Sequence, residues 1–179
     1  RGPQGTFFGR NSEAGVIEVR TRQPDNTLRT SAAAVFGNYD RQEYRVSFSG
    51  PLVSDRLFIS LNGGYAQHDG FVHNTFLNKN TDTRDSWIGR MALRWVPSEE
   101  WAISFGLNGE MFDDGDQRIV SLSGDPFQVS SDFEGRTQID RNTQSLKVAR
   151  IFFDWGVITS ITTRQDWSLN PNTLDLDLS

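Results

Sequence analysis

Residues 1–24 read RGPQGTFFGRNSEAGVIEVRTRQP, and no later part of the 179-residue chain resembles them. Gly2, Pro3 and Gly5 predict a turn, because glycine tolerates positive φ and proline fixes its own φ. Pro24 predicts the end of the strand that follows the turn. That strand is indicated by β-branched residues interleaved with charged ones: Val16, Ile17, Val19 and Thr21 against Glu18, Arg20 and Arg22. Periodicity alone leaves open an ordinary strand and turn of a soluble sheet.

The same stretch resembles the end of the plug domain of TonB-dependent outer-membrane receptors. The resemblance implies that residues 1–24 are the C-terminal end of a plug and residues 25–179 the N-terminal part of a transmembrane β-barrel. In that family plug arginines pair with barrel glutamates, so Arg1 and Arg10 are candidates whose partners would lie largely beyond Ser179. A solvated turn residue is the alternative for Arg10. The residues that carry the motif are Arg1, Gly2, Pro3, Gly9, Arg10 and Gly15, continued by Ser12, Val16, Ile17, Val19, Thr21, Arg22 and Pro24.

Composition excludes several classes of protein and site. A net charge of -5 and a pI near 5.0 give no basic footprint, so nucleic acid is not an expected partner. The absence of cysteine removes disulfides and thiolate chemistry, and His68 and His73 are the only imidazoles. No run approaches the roughly 20 apolar residues of a membrane helix, whereas a barrel strand needs only about 9–11 residues. Because the sequence opens inside a motif, without Met, we expect a piece of a longer protein.

Alternating apolar and polar residues after Pro24 predict about seven strands. The clearest begins at Trp101, where Ile103, Phe105 and Leu107 alternate with small or polar residues. Gly50 and Pro51 predict a strand end. Within residues 143–153 the apolar side chains change from one face of the strand to the other, which predicts a bulge or a half-buried segment. The predicted strands cover residues 28–39, 43–49, 56–67, 87–96, 101–111, 143–153 and a last one through Trp167, after which residues 168–179 are predicted to form a loop.

Short and long connections take turns along the chain, apart from the first short one at residues 37–42. Residues 50–55, 97–100 and 154–156 are short connections, whereas residues 68–86 and 112–142 are long polar ones. Outer-membrane barrels combine short periplasmic turns with longer extracellular loops. Aromatic residues near these connections indicate girdles at two membrane interfaces. They are Trp95, Trp101 and Trp155 near short turns, and Tyr65, Trp87 and Trp167 near long loops.

The predicted fold is therefore an all-β, antiparallel, up-and-down transmembrane barrel fragment with about seven of the 22 strands found in plugged transporters. A soluble β-sandwich or soluble barrel shows the same alternation. The second face of the predicted strands favours the membrane barrel, because it carries Ser, Asn, Gly and Ala with occasional Arg, as in a wet lumen. If the first strand rises from the periplasm, residues 68–86 and 112–142 are extracellular.

The family resemblance implies a transporter and no covalent chemistry, so neither an enzyme nor a cofactor is expected. The implied function is energy-coupled uptake of a scarce ligand such as a ferric siderophore across the outer membrane of a Gram-negative bacterium. The implied partners are the TonB complex, through parts absent from this chain, the small-molecule ligand and outer-membrane lipid. The alternative from another class is a soluble β-rich module that binds carbohydrate or acts in adhesion.

Candidate site residues inside the chain lie in the first long loop. His68, Asp69, Phe71 and His73 combine hydrogen-bonding groups with an aromatic surface, as a ligand-capturing loop would, although a solvated loop is the simpler interpretation. The acidic residues at 113, 114 and 116 around Gly115 lack the twelve-residue calcium-loop pattern with its closing Glu, so no metal site is assigned.

Overall fold

The computed structural model describes residues 21–115, 124–152 and 156–173. Within this part of the chain no helix is long and apolar enough to cross a membrane. Seven long strands form one sheet in the order β1-β2-β3-β6-β7-β9-β10, with every pair antiparallel, and three two-residue strands form a small second sheet. This confirms the predicted all-β antiparallel fold. The strands are β1 (Arg29–Gly37), β2 (Arg41–Val53), β3 (Leu57–His68), β4 (His73–Asn74), β5 (Lys79–Asn80), β6 (Arg84–Ser98), β7 (Trp101–Gly115), β8 (Gln128–Val129), β9 (Arg136–Phe152) and β10 (Gly156–Thr173).

From β2 to β7 the long sheet has one apolar and one polar face. Directly opposed residues point to the same side, and the register places Leu61, Met91 and Leu107 in one row and Asn62, Arg90 and Asn108 in the next. The apolar side chains have no cover among the described residues: Val46 is 60% exposed and Met111 55%. A face this apolar and this open requires an apolar solvent or a partner.

An aromatic row crosses the apolar face near the ends of the strands that lead into the long loops. Phe36 meets Tyr44 edge-on at 5.9 Å, Tyr44 stacks on Tyr65 at 6.4 Å, and Tyr65 lies 4.4 Å from Trp87, measured between ring centroids. Trp95 lies toward the other end of β6, eight residues or roughly 26 Å along the strand from Trp87. If the strand is tilted by about 40° from the membrane normal, the two residues are roughly 20 Å apart along that normal. With the width of their side-chain rings added, this separation matches the apolar band of about 25 Å in outer-membrane barrels.

The separation of faces weakens at the last two strands. Leu146 and Val148 share a face with Arg150, as the sequence indicates. The pairing of β7 with β9 runs without a register shift, so of the two predicted alternatives the bulge is wrong, whereas a half-buried segment agrees with the intermediate exposure of Val148 and Ala149. On β10 the apolar residues Ile161 and Trp167 lie in the rows that are polar on β2–β7. The two faces are therefore assigned from β2–β7.

Pro51 and Pro97, which the sequence analysis places in short connections, both lie inside strands. Pro51 pairs with Phe58 next to a register shift, and the pairing of β2 with β1 ends at Ser49, so the missing N–H of Pro51 faces no partner strand. Pro97 lies inside the register shift between β6 and β7, beyond the last β3 pair at Trp95. The prediction that Gly50 and Pro51 end the second strand is therefore wrong.

The strands extend further into the long connections than alternation indicates. β6 begins at Arg84 and β7 continues to Gly115, so the first long loop is residues 69–83. β9 begins at Arg136, and of the second long connection the structure describes residues 124–135. β10 continues to Thr173 rather than giving way to a loop at residue 168.

The residues before β1 are fixed to the turn between β2 and β3, at the end of the sheet opposite the long loops. Asn26 donates to the Asp55 carboxylate at 2.6 Å and accepts from the Asp55 N–H at 2.9 Å. Asp25 accepts from Arg29 at 2.7 Å and from the Thr27 N–H at 2.8 Å, and these bonds, the Arg29 bond foremost, hold the pKa of Asp25 well below its usual range. The chain therefore enters the sheet at a fixed point.

Candidate functional site

The two long loops are joined to each other by backbone hydrogen bonds. β4 pairs antiparallel with β5 in the first loop and parallel with β8 in the second. The His73 N–H donates to the Phe127 carbonyl at 2.8 Å, and the Thr75 N–H donates to the Val129 carbonyl at 2.8 Å. Lys79 adds an ion pair to Glu134. We call residues 69–83 and 124–135 the paired loops, since their contacts make them one unit.

Asn74 is the buried centre of the paired loops, with no exposed surface. Its side-chain N–H donates to the Ser131 carbonyl at 2.9 Å. Its side-chain oxygen accepts from the backbone N–H groups of Phe76 at 3.0 Å, Leu77 at 3.2 Å and Ser131 at 3.3 Å. One amide thus closes the turn after β4 and holds the second loop against it, as buried polar groups require.

The first loop is also closed at its base. The Thr81 N–H donates to the Val72 carbonyl at 2.8 Å, and Val72 is 6% exposed. Asn80 donates through its side chain to the Gly70 carbonyl at 2.8 Å. Gly70 lies so close to the neighbouring backbone that a Cβ there would stand 1.3 Å from the Thr81 carbonyl oxygen. Only glycine fits this crossing without moving the loop.

Aromatic side chains project from the paired loops into solvent. Phe76 is 66% exposed, Phe127 55% and Phe133 42%. Tyr39, in the short turn between β1 and β2, is 55% exposed and lies 6.1 Å from the ring of Phe71. Exposed rings grouped at one end of a rigid sheet are suited to recognition rather than to packing.

Three of the predicted ligand-loop residues lie together. His68 ends β3, and its Nδ1 lies 2.9 Å from the Asp69 carbonyl oxygen, while the Asp69 N–H donates to the Tyr39 carbonyl at 2.7 Å. His68 and Phe71 line one groove of about 400 Å³, together with Arg84. The predicted residues therefore border the end of the polar face that lies next to the long loops.

His73 is placed elsewhere, within β4, with its Nδ1 3.2 Å from the Asn80 side-chain oxygen. The two histidines therefore do not share one site. Sequence analysis missed Asn74 and the exposed rings of the second loop, because pairing between loops more than 50 residues apart leaves no local pattern. That His68, Asp69, Phe71 and His73 contact a ligand stays a prediction.

Other sequence candidates lie apart or outside the described residues. Asp113 is ion-paired with Arg136, and Asp114, as its neighbour in β7, points to the opposite face. In the part of the chain that the structure describes, no group of three or more acidic or histidine side chains could hold a metal ion. The plug-motif residues Arg1, Gly2, Pro3, Gly9, Arg10 and Gly15 lie outside the described residues, as does Asp116.

Comparison with known proteins finds similar receptors. The chain is 31% identical over 173 residues to the pesticin receptor of Yersinia pestis and equally to that of Yersinia enterocolitica. The match covers 95% of this chain and 24% of each relative, so the chain spans about a quarter of the curated relatives' length. No protein-family model matches the chain.

The fold is also found in a solved structure. The crystal structure of the ferric yersiniabactin uptake receptor FyuA from Yersinia pestis superimposes with a TM-score of 0.82 at 23% sequence identity. The superposition covers 94% of this chain and 28% of the other. The chain is therefore similar in sequence to receptors over 95% of its length, and it shares its fold with part of one solved receptor.

Proposed function

We propose that this chain, which is a segment of a TonB-dependent outer-membrane receptor, belongs to a protein that imports a ferric siderophore. The observation that carries the proposal is the grouping of exposed rings on the paired loops, at the sheet end opposite the short turns. Catecholate and phenolate siderophores carry aromatic rings, and aromatic side chains bury such surface well. The similarity to a ferric yersiniabactin uptake receptor supports the same class of ligand.

We further propose that residues 1–24 end the plug and residues 25–179 begin the barrel. The fixed entry of the chain at Asp25 and Asn26 supports a boundary at this point, because the sheet begins directly afterwards at Arg29. The apolar face from β2 to β7 would then meet outer-membrane lipid, and its aromatic row would mark the outer interface.

Uptake of a scarce ligand against its gradient needs an energy source. The outer membrane has none of its own, so we propose that the TonB complex supplies it, through parts of the receptor outside this chain. A soluble carbohydrate-binding or adhesin-type module is not favoured, because its sheet would have to cover the exposed apolar face.

Ligand binding by the full-length parent receptor in detergent tests the proposal. Ferric yersiniabactin, a ferric catecholate and a ferric hydroxamate serve as probes, with quenching of tryptophan fluorescence as the measurement. We expect one ferric chelate to bind at least tenfold more tightly than its iron-free form. Replacing Phe76 and Phe127 together with alanine should weaken that binding about tenfold, or about 1.4 kcal/mol.

The matched control replaces Phe48 with alanine, because Phe48 is a phenylalanine of the apolar face far from the loops. That variant should bind as the parent does. Absence of binding by every ferric chelate, combined with unchanged growth under iron limitation when the gene is deleted, would refute the proposed ligand class.

A further inference from the structure

Two adjoining grooves cross the apolar face of the long sheet. The first, of about 610 Å³, lies between Trp87 and Met111 on one side and residues of β9 and β10 on the other. The second, of about 570 Å³, lies over β2, β3, β6 and β7. Gly89 borders both grooves, and we call the two together the trench. Its residues on the apolar face are Val46, Phe48, Leu61, Gly63, Trp87, Gly89, Met91, Leu107, Gly109 and Met111, with Asp140, Asn142, Asp166 and Ser168 at one end.

Glycine forms the floor of the trench. Gly63, Gly89 and Gly109 lie directly opposite one another on three neighbouring strands. A Cβ at Gly89 or Gly109 would meet no atom within 4 Å, so no neighbour among the described residues requires glycine there. The side chains of Trp87 and Met91 stand on either side of Gly89, four residues or roughly 13 Å apart along β6. Because glycine weakens a strand interior, these positions point to an occupant of the open, apolar space above them.

One end of the trench is polar, although it lies on the same face as the apolar part. The register places Asp140 and Ser168 in the row of Met111, and Asn142 and Asp166 in the row of Gly109. Asp166 is ion-paired with Arg164 at 2.9 Å. In the described ranges the side chains of the other three, Asp140, Asn142 and Ser168, make no hydrogen bond. The trench therefore joins a long apolar channel to a group of open acceptors, as a site for an amphiphile would.

The trench runs obliquely to the membrane plane if the sheet has the barrel orientation proposed above. The short turns step along the sheet: Leu57, at the turn between β2 and β3, lies opposite Trp95. Trp101, at the next short turn, lies one row further on, and Phe152 of β9 one row beyond the pair of Trp101 with Arg150. When these turns lie at one depth, each row is nearer the outside at β10 than at β3. The polar end then lies at the level of lipid headgroups, and the apolar part lies among acyl chains.

We propose that the trench binds a phospholipid whose headgroup carries a primary ammonium group, with an acyl chain over the three glycines. Charge and donor count favour this occupant. An ammonium group has three N–H donors and no acceptor, and Asp140, Asn142 and Ser168 offer open acceptors, one of them a carboxylate. The Arg164 guanidinium, 74% exposed, is a cation for the lipid phosphate. An anionic headgroup would instead meet the carboxylates of Asp140 and Asp166.

Native mass spectrometry of the full-length receptor in detergent tests the headgroup, with three phospholipids of identical acyl chains as probes. Phosphatidylethanolamine carries the ammonium group, phosphatidylcholine has the same charges without N–H donors, and phosphatidylglycerol is anionic. We expect the receptor to retain phosphatidylethanolamine about tenfold better than the other two. Retention of phosphatidylethanolamine no better than that of either other lipid would overturn the proposal.

Substitutions locate the lipid in the trench. Gly109→Leu fills the floor without a clash at its Cβ and should lower retention of phosphatidylethanolamine about tenfold. Ser160→Leu is the matched control, because it adds the same side chain to the same face outside the trench. Asp140→Ala fills nothing, so it tests the site even if Gly109→Leu fails to fold, and it should lower retention of phosphatidylethanolamine about tenfold but hardly change that of phosphatidylcholine.

Unchanged retention in Asp140→Ala or in a folded Gly109→Leu receptor, or an equal loss in Ser160→Leu, would refute the site. Heat-modifiable gel mobility reports whether each variant is folded. No ferric chelate is used in these measurements, so their failure leaves the proposed ligand class untouched.

Discussion

Replacing Asn74 with alanine should separate the paired loops from each other while leaving the long sheet folded. The change removes a side-chain amide that has no exposed surface and makes four hydrogen bonds. Two of these bonds close the turn after β4, and the other two join the first loop to Ser131 of the second. A buried group that loses its partner costs about 1–3 kcal/mol, and partial opening to water relieves some of this. We expect a net loss of about 3 kcal/mol in the stability of the paired loops.

Hydrogen exchange of the full-length receptor measures this loss directly. About 3 kcal/mol corresponds to roughly 100-fold faster exchange of backbone amides in residues 124–135. Asn62→Ala is the matched control, because the Asn62 side chain donates to Ser60 at 3.2 Å on an open face, far from the paired loops. Unchanged protection of residues 124–135 in Asn74→Ala would show that the loops are held together by something else.

Replacing Gly70 with alanine should have an effect at least as large on the first loop. The new Cβ would stand 1.3 Å from the Thr81 carbonyl oxygen, and both partners are backbone, so no side-chain rotation relieves the clash. The loop must open at its base, breaking the bond from the Thr81 N–H to Val72. We expect about 4 kcal/mol of loop stability to be lost and ligand binding to fall at least 100-fold.

Gly89→Ala is the control for this substitution. Nothing lies within 4 Å of a Cβ at Gly89, and alanine in a strand interior is favoured over glycine by about 0.5–1 kcal/mol. That variant should bind ligand normally and unfold slightly later on heating. Normal ligand binding together with normal exchange of residues 69–83 in Gly70→Ala would contradict the described crossing.

The sheet could be predicted from the sequence because one physical rule governs most of it. Where one face meets an apolar medium and the other a polar one, every second residue must change character, as from Ile103 to Leu107. The rule failed at Pro51 and Pro97, because a proline ends a strand only where its missing N–H faces a partner strand. It also failed at β10, where Trp167 lies with the polar rows.

The site was only partly predictable, for a different reason. Loop composition indicated where ligand-binding residues lie, and His68 and Phe71 do border one groove. The parallel pairing of β4 with β8 joins residues more than 50 positions apart and involves two residues on each side, which produces no periodicity. Asn74 shows the same limit: its importance comes from complete burial and from four side-chain hydrogen bonds, neither of which a single asparagine in the sequence reveals.

Sidedness is the most direct measurement of the central claim, that this segment spans a membrane with its paired loops outside and its short turns inside. Phe76→Cys and Ser54→Cys place single thiols at exposed positions at the two ends of the sheet. Intact cells making the full-length receptor are treated with a membrane-impermeant maleimide, before and after the outer membrane is opened. We expect labelling at position 76 in both conditions and at position 54 only after opening. Labelling of position 54 in intact cells, or recovery of the receptor as a soluble protein without detergent, would contradict the account.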